Sequence, residues 1–274
     1  MEQVFLQRIL VPVDFSVRSG EATRFAQRMA AHFGAEVAAL HVIEPAQFDF
    51  AMTEPARDVA AAVTEVRLRR AGEKLRRFLA EYDSAEVVAL VSEGEAADQI
   101  LETAAHQNAG LIVMPTQGRS RLRRFLIGSV TAKVLHDAAV PVITGVHLDQ
   151  REDFPAFRLR RILCAVDLGA QTPCVLRWGA QLAVEFDAAL GIVHVTPEPQ
   201  AARTALAGLA AVIGRKPEVI VKSGEPHKVV TGLAAEFESD LVVIGRGVDE
   251  SVPGRFKAQA YAIVRQSPCP VLSV

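Results

Sequence analysis

"RILVPVDFS", residues 8–16, returns as "RILCAVDLG" at 161–169, and "ALHVIEP" at 39–45 returns as "IVHVTPEP" at 192–199, both 153 positions later. The correspondence continues at a smaller offset. "SEGEAADQI" (92–100) matches "KSGEPHKVV" (222–230) and "AGLIVM" (109–114) matches "SDLVVI" (239–244), each 130 positions apart. "VPVITGV" (140–146) then matches "CPVLSV" (269–274) at 129. A repeat of this length is a whole folding unit used twice. The second copy has lost 23 residues between its second and third apolar runs and one more before its last. The polar stretch "HLDQREDFPAF" (147–157) joins the copies, giving expected domains at 1–150 and 156–274 with a boundary near residue 153.

Each copy alternates short β-branched runs with longer helical ones. In the first, "RILVPV" reads as a strand. The helix after it carries Ala22, Phe25, Ala26, Met29, Ala30 and Phe33 on one face and is stopped by Gly34. Then come strand "EVAALHVI", an Arg-rich helix from about Pro55 to Tyr82, strand "EVVALV", helix "AADQILETAAH", strand "GLIVM", a loop, helix "SVTAKVLHDA" and strand "VPVITGV". Alternation of this kind predicts two doubly wound, parallel α/β sheets with helices on both faces. Ligands of such sheets bind beyond the carboxyl ends of the strands, which brings Asp14, Val42 and Met114 to one crevice.

Composition narrows the function. Half of the 274 residues are hydrophobic, and 30 basic against 32 acidic residues leave a net charge of -2. That balance argues against a general nucleic-acid or membrane-surface binder. No run approaches the ~18 apolar residues of a membrane span, and "MEQVFLQRILVPVDFS" leads straight into a strand, so a cytoplasmic protein is expected. Cys164, Cys174 and Cys269 show no CxxC spacing and are expected as buried, reduced thiols. His41 and His194 occupy equivalent strand positions. Without Cys or carboxylate companions at ligand spacing they read as packed histidines rather than a metal site. Arg67, Arg69, Arg70, Arg76 and Arg77, interleaved with Glu65, Glu73 and Glu81, read as the polar side of an amphipathic helix.

The loop "PTQGRSRLRRFLIGS" (115–129) carries the sharpest signal. Gly118 and Gly128 allow close backbone approach, Ser129 adds a hydroxyl, and a helix starting near Gly128 aims its positive end at an anion. Arg119 is placed to reach phosphate, whereas Arg121, Arg123 and Arg124 include solvated positions. Asp14 has a plainer reading as the cap of the following helix. No Ser-His-Asp or Cys-His arrangement is defensible from spacing, so vigorous catalysis is not expected.

These motifs resemble the universal stress protein family in its tandem form: "ILVPVDFS" its first strand, "LHVIEP" its second, and "IVMPTQGRSRLRRFLIGSVTAKVL" its signature region. Nucleotide-binding members show Gly-x2-Gly-x9-Gly-Ser/Thr there. Gly118, Gly128 and Ser129 match, Pro115 replaces the leading glycine, and Gln117 stands where many relatives carry histidine. The resemblance implies an adenine nucleotide (ATP, ADP or AMP), with Mg²⁺ on its phosphates. It places the backbone at Val13 and Val42, with Asp14, at the adenine and ribose end. Met114 and Val130 flank the ligand, and Gly118, Gly128 and Ser129 meet the phosphates. Pro115 has no N–H, a missing donor worth ~1–3 kcal/mol. In the second copy Asp167 matches Asp14, and Gly245 and Gly247 fall opposite Pro115 and Gly118. Lys257 and Ala258 replace Gly128 and Ser129, so that site is expected to be empty or to take something else. The resemblance also implies pairing of the two last strands within one chain, with homodimerisation and an unidentified protein partner beyond it. A slow Mg²⁺-dependent ATPase and a nucleotide-free scaffold are the rival readings.

Overall fold

The computed structural model describes residues 6–45, 54–84, 86–116, 127–145, 157–211, 213, 216–246 and 255–274. The first copy forms β1 (Arg8–Pro12), α1 (Val17–Phe33), β2 (Glu36–Ile43), α2 (Glu54–Glu81), β3 (Val88–Glu93), α3 (Ala96–His106), β4 (Leu111–Val113), α4 (Ser129–Asp137) and β5 (Val142–Thr144). The second forms β6 (Arg161–Val166), α5 (Thr172–Glu185), β7 (Ala189–Val195), α6 (Pro199–Ala211), β8 (Glu218–Lys222), α7 (Pro226–Glu236), β9 (Leu241–Ile244), α8 (Arg255–Gln266) and β10 (Val271–Ser273). α7 is α3 shifted by 130 residues at both ends, as the sequence offset requires. The lost residues between the second and third strands show as a 28-residue α2 against a 13-residue α6.

Two compact units result. One lies within Leu6–Leu122 and Gly128–Val140, and the other is built chiefly from Pro141–Val274. In the first, the parallel strand order is β3-β2-β1-β4. In the second it is β8-β7-β6-β9-β10, again parallel, with β5 added antiparallel to β10. The expected pairing of the two last strands is therefore present, in the register Val271↔Thr144, Leu272↔Ile143 and Ser273↔Val142. β5, which the repeat assigns to the first copy, packs in the second unit.

α1 follows the sequence reading closely. Ala22, Phe25, Ala26, Met29 and Ala30 are buried, while Phe33 is half-buried at the margin of the face. Gly34 ends the helix at φ 65°, a left-handed turn that favours glycine. The third strand begins two residues later than its β-branched run suggested. Val87 N–H turns back to Ser84 C=O at 3.1 Å, which takes Glu86 and Val87 into a turn. On α2, Arg69, Arg70, Arg76 and Arg77 are exposed as expected. Arg67 instead spans two elements, bonding Glu93 at 3.1 Å and Glu44 C=O at 2.6 Å.

All three cysteines are free; Cys164 and Cys269 are buried, with burial pushing the Cys164 thiol up to about 12. Cys174 corrects the expectation, being only half-buried on the first turn of α5, with the Arg177 guanidinium 3.6 Å from its sulfur. Among the described residues no helix is long and apolar enough to cross a membrane.

Candidate functional site

Strand order reverses between β1 and β4, because β2 and β3 lie to one side of β1 and the chain then crosses to the other. Such a reversal splays two successive crossovers apart and leaves a crevice at the carboxyl ends. The ladder register Ile9↔Leu111 and Leu10↔Ile112, carried forward, sets Val13 level with Pro115. Pro12↔Leu40 likewise sets Asp14 level with Val42.

At the end of β1 the backbone is fully engaged. Val13 N–H donates to Leu40 C=O at 2.7 Å, and Val13 C=O accepts from His41 Nδ1 at 2.7 Å. The second unit repeats this, with His194 Nδ1 2.8 Å from Val166 C=O. Both histidines thus buttress the strand-end carbonyl, and among the described residues no cluster of three His, Cys, Asp or Glu could hold a metal ion. The N-cap of α1 is Ser16, whose Oγ accepts from Ser19 N–H at 3.2 Å. Asp14 supports that cap indirectly: its Oδ1 accepts from Ser16 N–H at 3.0 Å and Ser16 Oγ at 2.6 Å. Between them Phe15 adopts φ 64°, and its counterpart Leu168 adopts 62°. A left-handed non-glycine residue costs on the order of 1 kcal/mol, offset here by contacts. The Phe15 ring lies 4.2 Å from His41 and 5.5 Å from Phe78, with Lys74 Nζ 4.0 Å from its centre.

Across the crevice, Met114 and Pro115 are buried beyond β4. Two hydrogen bonds tie this loop to α4. Thr131 Oγ1 donates to Pro115 C=O at 3.1 Å, and Gly128 N–H donates to Thr116 C=O at 2.9 Å. Gly128 is the N-cap of α4 and makes no side-chain cap bond. Ala132 N–H closes the first helical bond on Gly128 C=O at 2.8 Å. The N–H groups of Ser129, Val130 and Thr131 precede that bond, at the positive end of the helix. Ser129 is exposed, and Gly128 and Val130 are half-buried. α4 is also tethered to α3 by Lys133, which reaches Asp98 and Glu95. The Asp98 N–H, and then Lys133, hold the Glu95 carboxyl below the usual carboxylate range.

Val13, Asp14, Met114, Pro115, Gly128, Ser129 and Val130 thus gather around the reversal point, with Val42 at the matching level of β2. Gly118 and Arg119, like Gln117, Arg121, Arg123, Arg124 and the joining segment 147–156, lie outside the described residues. Sequence reasoning missed Thr131 and Thr116 among the groups that fix this geometry, and it missed the bond of His41, which reads as a packed histidine, to Val13 C=O. For Thr131 the available signal was its alignment with Ala260, a lost hydroxyl. In the second unit Asp167 is exposed, and its Oδ1 accepts from Gly169 N–H at 2.8 Å and Thr172 Oγ1 at 3.3 Å. α8 begins at Arg255, three residues before Ala258, the residue aligned with Ser129. At the fourth helical position the Ala258 N–H falls within the helical ladder, so the end of α8 is displaced from where α4 offers its donors.

A sequence model described as the universal stress protein family matches residues 6–144 and 158–213, one segment in each repeat. The chain belongs to this family. A universal stress protein of Methanocaldococcus jannaschii is 31% identical over 137 residues, 50% of this chain and 80% of that protein. One from Mycolicibacterium smegmatis is 31% identical over 150 residues, 52% of this chain and 49% of that protein, so the chain spans about half the length of that relative. Among solved structures, a universal stress protein from Archaeoglobus fulgidus superposes with TM-score 0.66 at 22% identity, covering 99% of this chain and 97% of that one. A Pseudomonas aeruginosa structure described as a putative universal stress protein gives 0.67 at 17% identity, covering 99% and 94%. At these identities the likeness is one of fold. It extends over both repeats of this universal stress protein.

Proposed function

We propose that the first repeat, residues 1–150, binds an adenine nucleotide, and that this binding sets the conformation of the 115–129 loop read by a protein partner in a cytoplasmic stress response. The observation that carries the reading is the meeting, at one strand-order reversal, of Asp14 with the side-chain-uncapped start of α4. A helix start with several outward N–H groups is a ready anion site, and the Gly128-Ser129 step supplies close approach and a hydroxyl. In this assignment Val13 shapes the floor, since its own backbone groups are committed to Leu40 and His41. Asp14 accepts from the ribose hydroxyls, Val42, Met114 and Val130 flank the base, and Ser129, with Gly118 and Arg119, meets the phosphates. Pro115 lacks a donor but contributes its carbonyl to Thr131, which keeps the loop seated on α4. The ligand is ATP, ADP or AMP, and Mg²⁺ accompanies the longer phosphate chains.

Mass spectrometry of nucleotide released from freshly purified protein tests this, beside an Asp14→Ala variant. Nucleotide in the wild type and at least a tenfold loss of affinity in the variant are expected, the cost of a charged hydrogen-bond partner at ~1.5–3 kcal/mol. Equal nucleotide in both removes Asp14 from the site; none in either, with no thermal shift in ATP, ADP or AMP, overturns the proposal.

A further inference from the structure

The second repeat holds a cavity of about 210 Å³ at its own strand-order reversal, between β6, β7 and β9 and the helices α7 and α8. Its walls are mainly apolar, and the aligned exchanges in its lining include four at and just beyond the end of β9 and on α8. Ile244 replaces Met114, Gly245 replaces Pro115, Ala260 replaces Thr131, and Gln259 replaces Val130. The Pro115 and Thr131 exchanges remove side-chain atoms, and that of Met114 shortens the side chain, which opens space. The fourth brings a carboxamide to a wall position. A Cβ at Gly245 would stand 2.6 Å from Gln171 Oε1 and 3.1 Å from Gln171 Cβ, so Gln171 would have to turn aside to admit a side chain.

The polar wall residues are Asp167, His194 and Gln259, and their hydrogen-bonding capacity follows from their chemistry and partners. The Asp167 carboxylate, whose Oδ1 accepts from Gly169 N–H and Thr172 Oγ1, is an acceptor. His194 lines the cavity and is 8% exposed. Its Nδ1 faces the Val166 carbonyl at 2.8 Å, and a carbonyl only accepts, so Nδ1 carries a proton and donates there. Gln259 Oε1 accepts from His227 N–H at 3.1 Å and from His227 Nδ1 at 2.9 Å. That fixes the amide orientation and leaves its NH₂ as the donor. An apolar wall, the Asp167 carboxylate as acceptor and the Gln259 amide as donor complement a flat molecule with one N–H and one ring nitrogen. For scale, an apolar cavity of about 150 Å³ admits benzene. Ala258 carries no hydroxyl, and the start of α8 at Arg255 takes its N–H into the helical ladder, so this residue offers no donor to an anion.

We propose that this cavity is a second ligand site, taking a small uncharged nitrogen heterocycle of one or two fused rings without a phosphate chain. The inference stands on the second repeat alone and does not depend on the nucleotide reading of the first.

Benzimidazole is the probe, with 1-methylbenzimidazole lacking the N–H donor, read by methyl-resolved NMR of the full chain labelled at Ile and Val. Benzimidazole shifts the methyl signals of Ile244, Ile263 and Val230 in a saturable manner and leaves those of Val42 and Val130 in place. 1-Methylbenzimidazole binds about tenfold more weakly, as does benzimidazole to Gln259→Leu, each lacking one hydrogen bond. Ala260→Phe fills the space and abolishes the shifts, while the methyl signals of Val175 and Val271, second-repeat residues away from the cavity, stay in place and report an intact fold. No saturable shift in the wild type, equal affinity for the two probes, or undiminished binding to both variants overturns the proposal.

Discussion

Thr131→Val is the most informative single change, because it removes one hydroxyl and preserves shape. Thr131 is 4% exposed, and its Oγ1 is 3.1 Å from the carbonyl of Pro115, itself a buried residue. Replacing the hydroxyl by a methyl deprives that carbonyl of its donor in a place water does not reach. A made hydrogen bond contributes about 0.5–1.5 kcal/mol net, whereas an abandoned buried partner costs about 1–3, so about 1–2 kcal/mol is expected. For a unit of this size that is a fall in melting temperature of about 3–6 °C. The same bond holds the loop after β4 against the start of α4, so under the proposed nucleotide reading ATP affinity falls with it, by about tenfold. Differential scanning calorimetry and isothermal titration with ATP read the two effects. Thr131→Ser, which keeps the hydroxyl and loses a methyl, retains the affinity even where it melts earlier. A Val variant that melts at or above the wild type, with ATP affinity unchanged, refutes the reasoning.

Gly179 lies inside α5, where alanine ordinarily gains about 1 kcal/mol of helix propensity. Here an added Cβ would stand 2.1 Å from Cys164 Sγ, and overpacking of about 1–3 kcal/mol reverses the sign. Gly179→Ala is therefore destabilising in the wild type and stabilising in a Cys164→Ala background; urea titration of the four variants measures the cycle, and additive effects sink the steric account. Brief alkylation with iodoacetamide at pH 8 labels Cys174 alone, since Cys164 and Cys269 are buried and the Cys164 thiol is pushed up to about 12. Intact-mass and peptide analysis showing early label on Cys164 would contradict its burial.

Much of the fold was legible because the repeat constrains backbone as well as side chains. Gly94 and Gly224, 130 residues apart, both take positive φ, at 152° and 136°. Asn108 and Glu238, at the same offset, end α3 and α7 at 49° and 47°. Phe15 and Leu168 do so across the larger offset. Offsets found from letters alone therefore mark equivalent positions in space. The third strand was misplaced by two residues because β-branched content cannot see the Val87 to Ser84 turn. Cys174 looked buried because its neighbours are apolar, yet it lies on the half-exposed side of the first turn of α5. In the site, strand-end position pointed to Asp14, but its use of Ser16 as intermediary in capping α1 is a matter of side-chain geometry. The start of α8 at Arg255 was equally hidden, since alignment pairs residues while a helix start is set by local capping.

The antiparallel seam between β5 and β10 bears on the order in which the chain acquires structure during synthesis. Thr144 and Val271 are 127 residues apart, and a contact at such separation waits until the intervening chain is made. At ribosomal rates of about 5–20 residues per second that interval is on the order of 6–25 s. Through it β5 has left the ribosome with its pairing edge open, in a segment whose β-branched side chains favour strand addition by any passing edge. β10 is only three residues long and emerges last of the strands among the described residues, so nascent chains arrested anywhere before Val271 share one unsealed edge.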